Sequence, residues 1–208
     1  MDSKITLEDG EKLVKFAREN IEHFLKTKKE LNIPPELEEK FSNKGGAFVT
    51  LTKGKNHDLR GCIGYILPVY PLIETIHKVS ISAAMEDPRF PQVKLKEMDR
   101  IYVEVSVLSV PEVIEVNSPE EYFNKIKIGR DGLIVTRGGS RGLLLPQVPI
   151  EHGRNWDVKE FLQHTCQKAW LSKDAWKDIE NVKIERFTAT IFEENEPRGS
   201  VRQKQIGE

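Results

Sequence analysis

The chain has little of several things. Two cysteines in 208 residues, Cys62 and Cys166, are too few for the disulfide framework of a small secreted scaffold. Net charge is almost absent: 32 basic against 33 acidic residues leave −1, so no global field draws the chain to nucleic acid or to an anionic membrane. No apolar run approaches the roughly 18 residues that a spanning helix needs. The opening "MDSKITLEDGEK" lacks the apolar core of a secretory signal. No internal repeat or low-complexity linker interrupts the chain. These shortages exclude a disulfide scaffold and a helical membrane span. They predict a protein without membrane contact, in a reducing cytoplasm, with both thiols free.

What is present is a globular composition. Hydrophobic residues make up 38% and charged residues 31%, which suits a packed core under a charged surface. The length allows one large domain or two small ones. Leu13, Val14, Ala17, Ile21, Phe24 and Leu25 recur at helical spacing, so residues 6 to 29 read as an amphipathic helix capped by Thr6 with Asp9 three positions on. Pro35 opens a short second helix. "AFVTLTK" (47–53) and "LRGCIGYI" (59–66) read as two strands of a hairpin. Pro71 opens a helix to about 86, which "EDPRFP" breaks. "IYVEVSVLS" (101–109) alternates as a strand, and "SPEE" (118–121) starts a short helix. "GLIVTRGGSRGLLLPQV" reads as two strands around a glycine-rich turn, "DVKE" (157–160) caps a helix to about 171, and "VKIERFTATIF" (182–192) is a last strand. Helices and strands are interspersed, and several strand pairs are joined too tightly for parallel crossovers. The expected class is α+β, a mainly antiparallel sheet flanked by helices. A smaller unit is expected around the 127–148 meander.

One stretch stands apart. In "LRGCIG" (59–64), strict alternation puts Arg60, Cys62 and Gly64 on one face and Leu59, Gly61 and Ile63 on the other. A guanidinium beside a thiol favours thiolate, and Gly61 and Gly64 admit another backbone or a ligand. The bland reading is a buried structural cysteine among glycines that mark tight packing or a bulge. "EDPRFP" puts Asp87 and Arg89 in a rigid loop fixed by Pro88 and Pro91, either as a local helix stop or as a charged rim. The connector 143–156 offers Gln147, Glu151, His152 and Trp156 as possible pocket-lining groups. His164 and Cys166, two apart on a helix, do not face each other, and Cys166 falls on the apolar side. The spacing of His57, Cys62, His164 and Cys166 matches no zinc pattern, so no metal site is expected. "RGGSRG" (137–142) lacks the lysine and helix of a phosphate loop and reads as a hairpin turn.

"LRGCIG" (59–64), "DPRFPQV" (87–93) and "LLLPQVPIEHGRNWDVKEFLQHTCQKAWL" (143–171), in this order, resemble the AMMECR domain family. That family is named for the human chromosomal region of Alport syndrome with midface hypoplasia and elliptocytosis. The resemblance covers nearly the whole chain and departs at Trp170, where the family pattern has glycine. It implies a single AMMECR-type domain over 1–194. A larger α+β unit is built from about 1–110 and 181–194, a smaller one from 111–180, and 195–208 is a loose polar tail. It further implies a cleft containing the "LRGCIG" segment, and partners among Memo-like and radical S-adenosylmethionine proteins. It carries over no settled activity and no cofactor, and this chain has no three-cysteine iron–sulfur motif. Two functions follow as expectations. One is a small-molecule binder or enzyme subunit, with Cys62 as nucleophile or contact and Arg60, Gly61, Gly64, Asp87, Arg89, Gln147 and Glu151 as binding groups. The other is a non-catalytic module that takes a protein or RNA at the same place.

Overall fold

The computed structural model describes residues 5–150 and 153–205. The chain opens with α1 (Leu7–Thr27) and α2 (Pro35–Lys40), followed by β1 (Gly46–Lys53), β2 (Asp58–Tyr65), α3 (Leu72–Met85) and β3 (Ile101–Leu108), with a 3-10 turn at Leu95–Arg100. Next come β4 (Glu112–Val113), α4 (Tyr122–Lys125), β5 (Gly132–Arg137), β6 (Ser140–Leu144) and α5 (Val158–Lys168). β7 (Lys183–Phe187), β8 (Ala189–Glu194) and β9 (Val201–Lys204) close the chain. Two compact units result: Met1–Leu108 with Thr190–Lys204, and Ser109–Ala189 with Gln205–Glu208. The class is α+β with two antiparallel sheets flanked by helices.

The first unit carries a five-stranded sheet in the order β2-β1-β3-β8-β9. Its core follows from periodicity. Leu13, Val14, Ala17 and Ile21 of α1 and Ile73, Ile76 and Val79 of α3 meet the alternating Ala47, Val49 and Leu51 of β1 and Ile101, Val103 and Val105 of β3. The α1 cap is the reciprocal box that the sequence predicts. Thr6 Oγ1 accepts from the Asp9 amide at 3.2 Å, and the Asp9 carboxylate accepts from the Thr6 amide at 3.0 Å. Such a cap stabilises a helix by about 1 kcal/mol.

Two charged features of this unit escape periodicity. Arg18, buried on α1, donates to the Glu194 carboxylate and to the carbonyls of Met98 and Ile101, while Glu194 also accepts from the Val103 amide at 2.9 Å. The stretch read as a loose tail forms β9, antiparallel to β8 with Glu193 opposite Arg202. Polarity concealed it. Arg202 reaches Glu193 at 2.7 Å, and Lys204 reaches Glu104 at 3.1 Å and Glu193 at 3.2 Å, so ion pairs do what apolar side chains do on other strands.

The second unit carries a four-stranded sheet in the order β4-β7-β5-β6, and so keeps β7, which the expected boundary at 181 would assign elsewhere. Phe161, Leu162 and Cys166 of α5 pack with Leu133 and Val135 of β5, Ile184 of β7 and Trp176. Cys166 is thus a core residue. Gly138 and Gly139 turn the β5–β6 hairpin, with Arg137 opposite Ser140 and Gly138 at φ 55°. Beyond α5, the Leu171 amide donates to Cys166 O and the Trp170 amide to Gln167 O, both at 3.0 Å, the paired bonds of a Schellman stop. Trp170 sits at the left-handed position of that stop, at φ 61°, and its side chain is almost fully exposed.

Candidate functional site

β2 is the edge strand of its sheet, paired on one side only, with β1. Its register against β1 runs Thr50↔Cys62 and Leu51↔Gly61, then slips to Thr52↔Leu59. Arg60 is the extra residue of this bulge, and a bulge breaks side-chain alternation. The same-face expectation for Arg60 and Cys62 therefore does not hold. Arg60 Nη2 donates to Glu97 Oε2 at 3.1 Å and to Gln92 O at 3.4 Å. Lys53, which alternates with the core residues Val49 and Leu51, reaches the same carboxylate at 2.9 Å. Cys62 instead turns to Thr50, whose hydroxyl donates to its Sγ at 3.3 Å.

The guanidinium beside Cys62 is that of Arg89. Asp87 is buried and accepts from Arg89 Nε at 2.9 Å and Nη2 at 2.7 Å. The other lone pairs of Asp87 reach the backbone: Oδ2 accepts from the Cys62 amide at 2.9 Å, and Oδ1 from the Arg89 amide at 3.1 Å. Arg89 Nη2 in turn donates to Cys62 O at 3.4 Å. Both backbone groups of Cys62 that face away from β1 are thereby satisfied by one ion pair. The Arg89 hydrogen bonds hold the Asp87 carboxyl well below the usual carboxylate range, against the opposing effect of burial. The Arg89 side chain remains 54% exposed, so one edge of a rigidly held guanidinium faces outward.

Burial raises the Cys62 thiol above its ordinary pKa. The Thr50 hydrogen bond and the Arg89 charge oppose this, and the Glu104 charge adds to it. The group is a neutral thiol at physiological pH. Gly61 and Gly64 are explained by packing: a side chain at Gly61 would collide with the Ala83 carbonyl of α3, and one at Gly64 with the Phe48 ring. The close approach expected at these glycines is thus made by the protein itself.

Among the other expected groups, Gln147 lies in the second unit, within a run of turns from Leu145 to Ile150, and its Oε1 is buried without a hydrogen-bond partner. Glu151 and His152 lie outside the described residues. Trp156 stacks on His164 at 3.9 Å between centroids, with the Arg154 guanidinium 5.4 Å from the Trp156 ring. Among the described residues no group of three or more His, Cys, Asp or Glu side chains converges to hold a metal ion. Thr50 and Glu97 were not foreseen. Thr50 was legible as the polar alternate of β1, but its contact with Cys62 required the register. Glu97 has one local partner, the Lys94 amide at 3.0 Å, but its two cations come from β1 and β2 and carry no signal in the sequence.

These features define an α+β protein of two antiparallel-sheet units, with a glycine-flanked edge cysteine held by an Asp–Arg pair from the helix-breaking segment that follows α3. The AMMECR1 family model matches residues 14–192, and the chain belongs to that family. It is 54% identical over 203 residues to Protein MJ0810 of Methanocaldococcus jannaschii, covering 97% of this chain and 98% of that one. It is 55% identical over 207 residues to Protein PYRAB00100 of Pyrococcus abyssi, covering 98% and 99%. The crystal structure of the uncharacterised protein PH0010 from Pyrococcus horikoshii superposes with a TM-score of 0.89 at 52% identity, covering 98% of this chain and 100% of that one.

Proposed function

We propose that the chain binds a small anionic molecule, a carboxylate or phosphate, at the β2 edge, with Arg89 as the anion contact and Cys62 as a neutral thiol contact rather than a nucleophile. The observation that carries this is the exposed edge of Arg89. Asp87 occupies Nε and one N–H of Nη2, the Cys62 carbonyl takes the other, and the N–H groups of Nη1 are left outward in a fixed plane. A guanidinium held in this way recognises carboxylate or phosphate oxygens with little ordering cost. The raised thiol pKa supports the contact role, because nucleophilic cysteines work as thiolates. Arg60, engaged by Glu97, belongs to the framework in this reading. Isothermal titration with inorganic phosphate and with succinate tests it. The expected result is saturable binding of at least one anion, lost in Arg89→Ala and kept in Arg60→Lys. Equal binding by wild type and Arg89→Ala would overturn it.

A second reading, a protein-binding module, is favoured by the run of exposed apolar residues that follows β2: Tyr65, Leu67, Val69 and Tyr70. Memo-like and radical S-adenosylmethionine partners belong to this second reading, and a cytoplasmic setting to both. Replacing Leu67 and Val69 by serine leaves anion binding intact under the first reading and abolishes partner retention under the second.

A further inference from the structure

An antiparallel strand sends its backbone groups alternately toward its two neighbours. The Cys62 amide and carbonyl point away from β1, toward Asp87 and Arg89. The same phase places the outward groups of Gly64, two residues on, along the open edge. An exposed sheet edge is a template for pairing with another chain, and the hazard grows when apolar side chains flank it. Here they do: Leu59 and Tyr65 lie at the two ends of β2, and Leu67, Val69 and Tyr70 follow it, all exposed.

From this geometry we infer that the segment 87–91, "DPRFP", is an edge guard. It ends the five-stranded sheet at β2 and keeps the strand from pairing with a second copy of this chain. Asp87 supplies the acceptor and Arg89 the donor that a neighbouring strand would otherwise bring to Cys62. The segment does so without becoming an edge itself, because Pro88 and Pro91 have no amide to donate. The two ends of the segment are anchored on the body of the unit. Asp87 is buried, and two residues past Pro91 the Val93 amide donates to Ala84 O at 2.9 Å, with the Val93 side chain in the core. The blockade therefore lies at the centre of the strand, where a ladder with a neighbour would have to pass. The same pair explains why a glycine-rich, partly apolar edge strand is tolerated in a protein of almost no net charge, which has little long-range repulsion to keep copies apart.

The role is independent of any ligand, and its test uses none. In the full chain, amide hydrogen exchange should be slower at Cys62 than at Gly64. Asp87→Ala should remove this difference, and sedimentation at matched concentration should shift to larger species than wild type. Asp87→Ala/Leu59→Lys, which adds a charge to the freed edge, should return the distribution to that of wild type. Equal exchange at Cys62 and Gly64 in wild type overturns the guard even if Asp87→Ala fails to fold. So does a folded Asp87→Ala that sediments like wild type, or association that Leu59→Lys leaves unchanged.

Discussion

Arg60 and Glu97 are joined by two hydrogen bonds, at 3.1 and 3.4 Å, between the bulge of β2 and the 3-10 turn before β3. The Arg60 side chain is 11% exposed and that of Glu97 17%, so this is a largely desolvated pair. Charged hydrogen bonds of this kind contribute about 1.5–3 kcal/mol. Arg60→Ala should therefore lower the denaturant midpoint by a loss of that order, with an unchanged slope. A midpoint equal to that of wild type would return Arg60 to the list of ligand contacts.

The same pair gives a pH dependence. Burial alone would raise the Glu97 pKa, but the Lys94 amide, Lys53 and Arg60 outweigh it and bring it to about 2, below the ordinary value of 4.5. A carboxylate depressed in the folded state contributes stability that is complete above its unfolded pKa and is lost as pH falls through the folded one. Wild type should lose this contribution between about pH 4.5 and pH 2. Glu97→Gln should show a flatter acid limb over that window in urea melts taken at each pH.

Trp170 occupies a left-handed position at φ 61° with its side chain in solvent. Side chains other than glycine cost roughly 1–2 kcal/mol there. Trp170→Gly should stabilise the chain by about 1 kcal/mol, which at this length raises Tm by about 2–4 °C. A fall in Tm would show that the indole makes contacts that offset the backbone cost.

Arg18 and Glu194 are both buried, at 5% and 3% side-chain exposure. Arg18 also pairs with Glu22 at 3.1 Å, so it is the loss of Arg18 that strands a buried charge, at about 3–5 kcal/mol. Arg18→Ala should destabilise by that amount and release β9, read as faster amide exchange at Val201–Lys204. Retained protection of β9 would separate the strand from the pair.

Both cysteines are free. Burial raises the Cys166 thiol to about 11 and also raises Cys62. In the native protein, alkylation should be slow at Cys62, accelerating only above the pH at which an ordinary thiol ionises, and negligible at Cys166. Unfolding without reductant should expose two titratable thiols. A count of zero, with the mass of an internal bridge, would contradict the free-thiol state.

Much of the fold was legible because its signals are local. The Thr6–Asp9 box, the alternation of β1 and β3, the Gly138–Gly139 turn and the apolar face of α5 each lie within a few residues of their cause. The family pattern even marked Trp170 as a place for glycine, and the Schellman stop supplies the reason. The sequence by itself thus determined element type, the inward faces and the cysteine chemistry of a free-thiol protein. Tertiary structure decided the partners. A one-residue bulge turned Arg60 from Cys62 to Glu97, and a helix-breaking loop 25 residues downstream brought Asp87 to the Cys62 amide. Strand order placed Lys204 on Glu104 and made a strand of an apparently loose tail. Charged side chains are long and have no periodic signature, so which one meets which depends on register and strand order. Those are properties of the packed sheet and are not written in any short stretch of the chain.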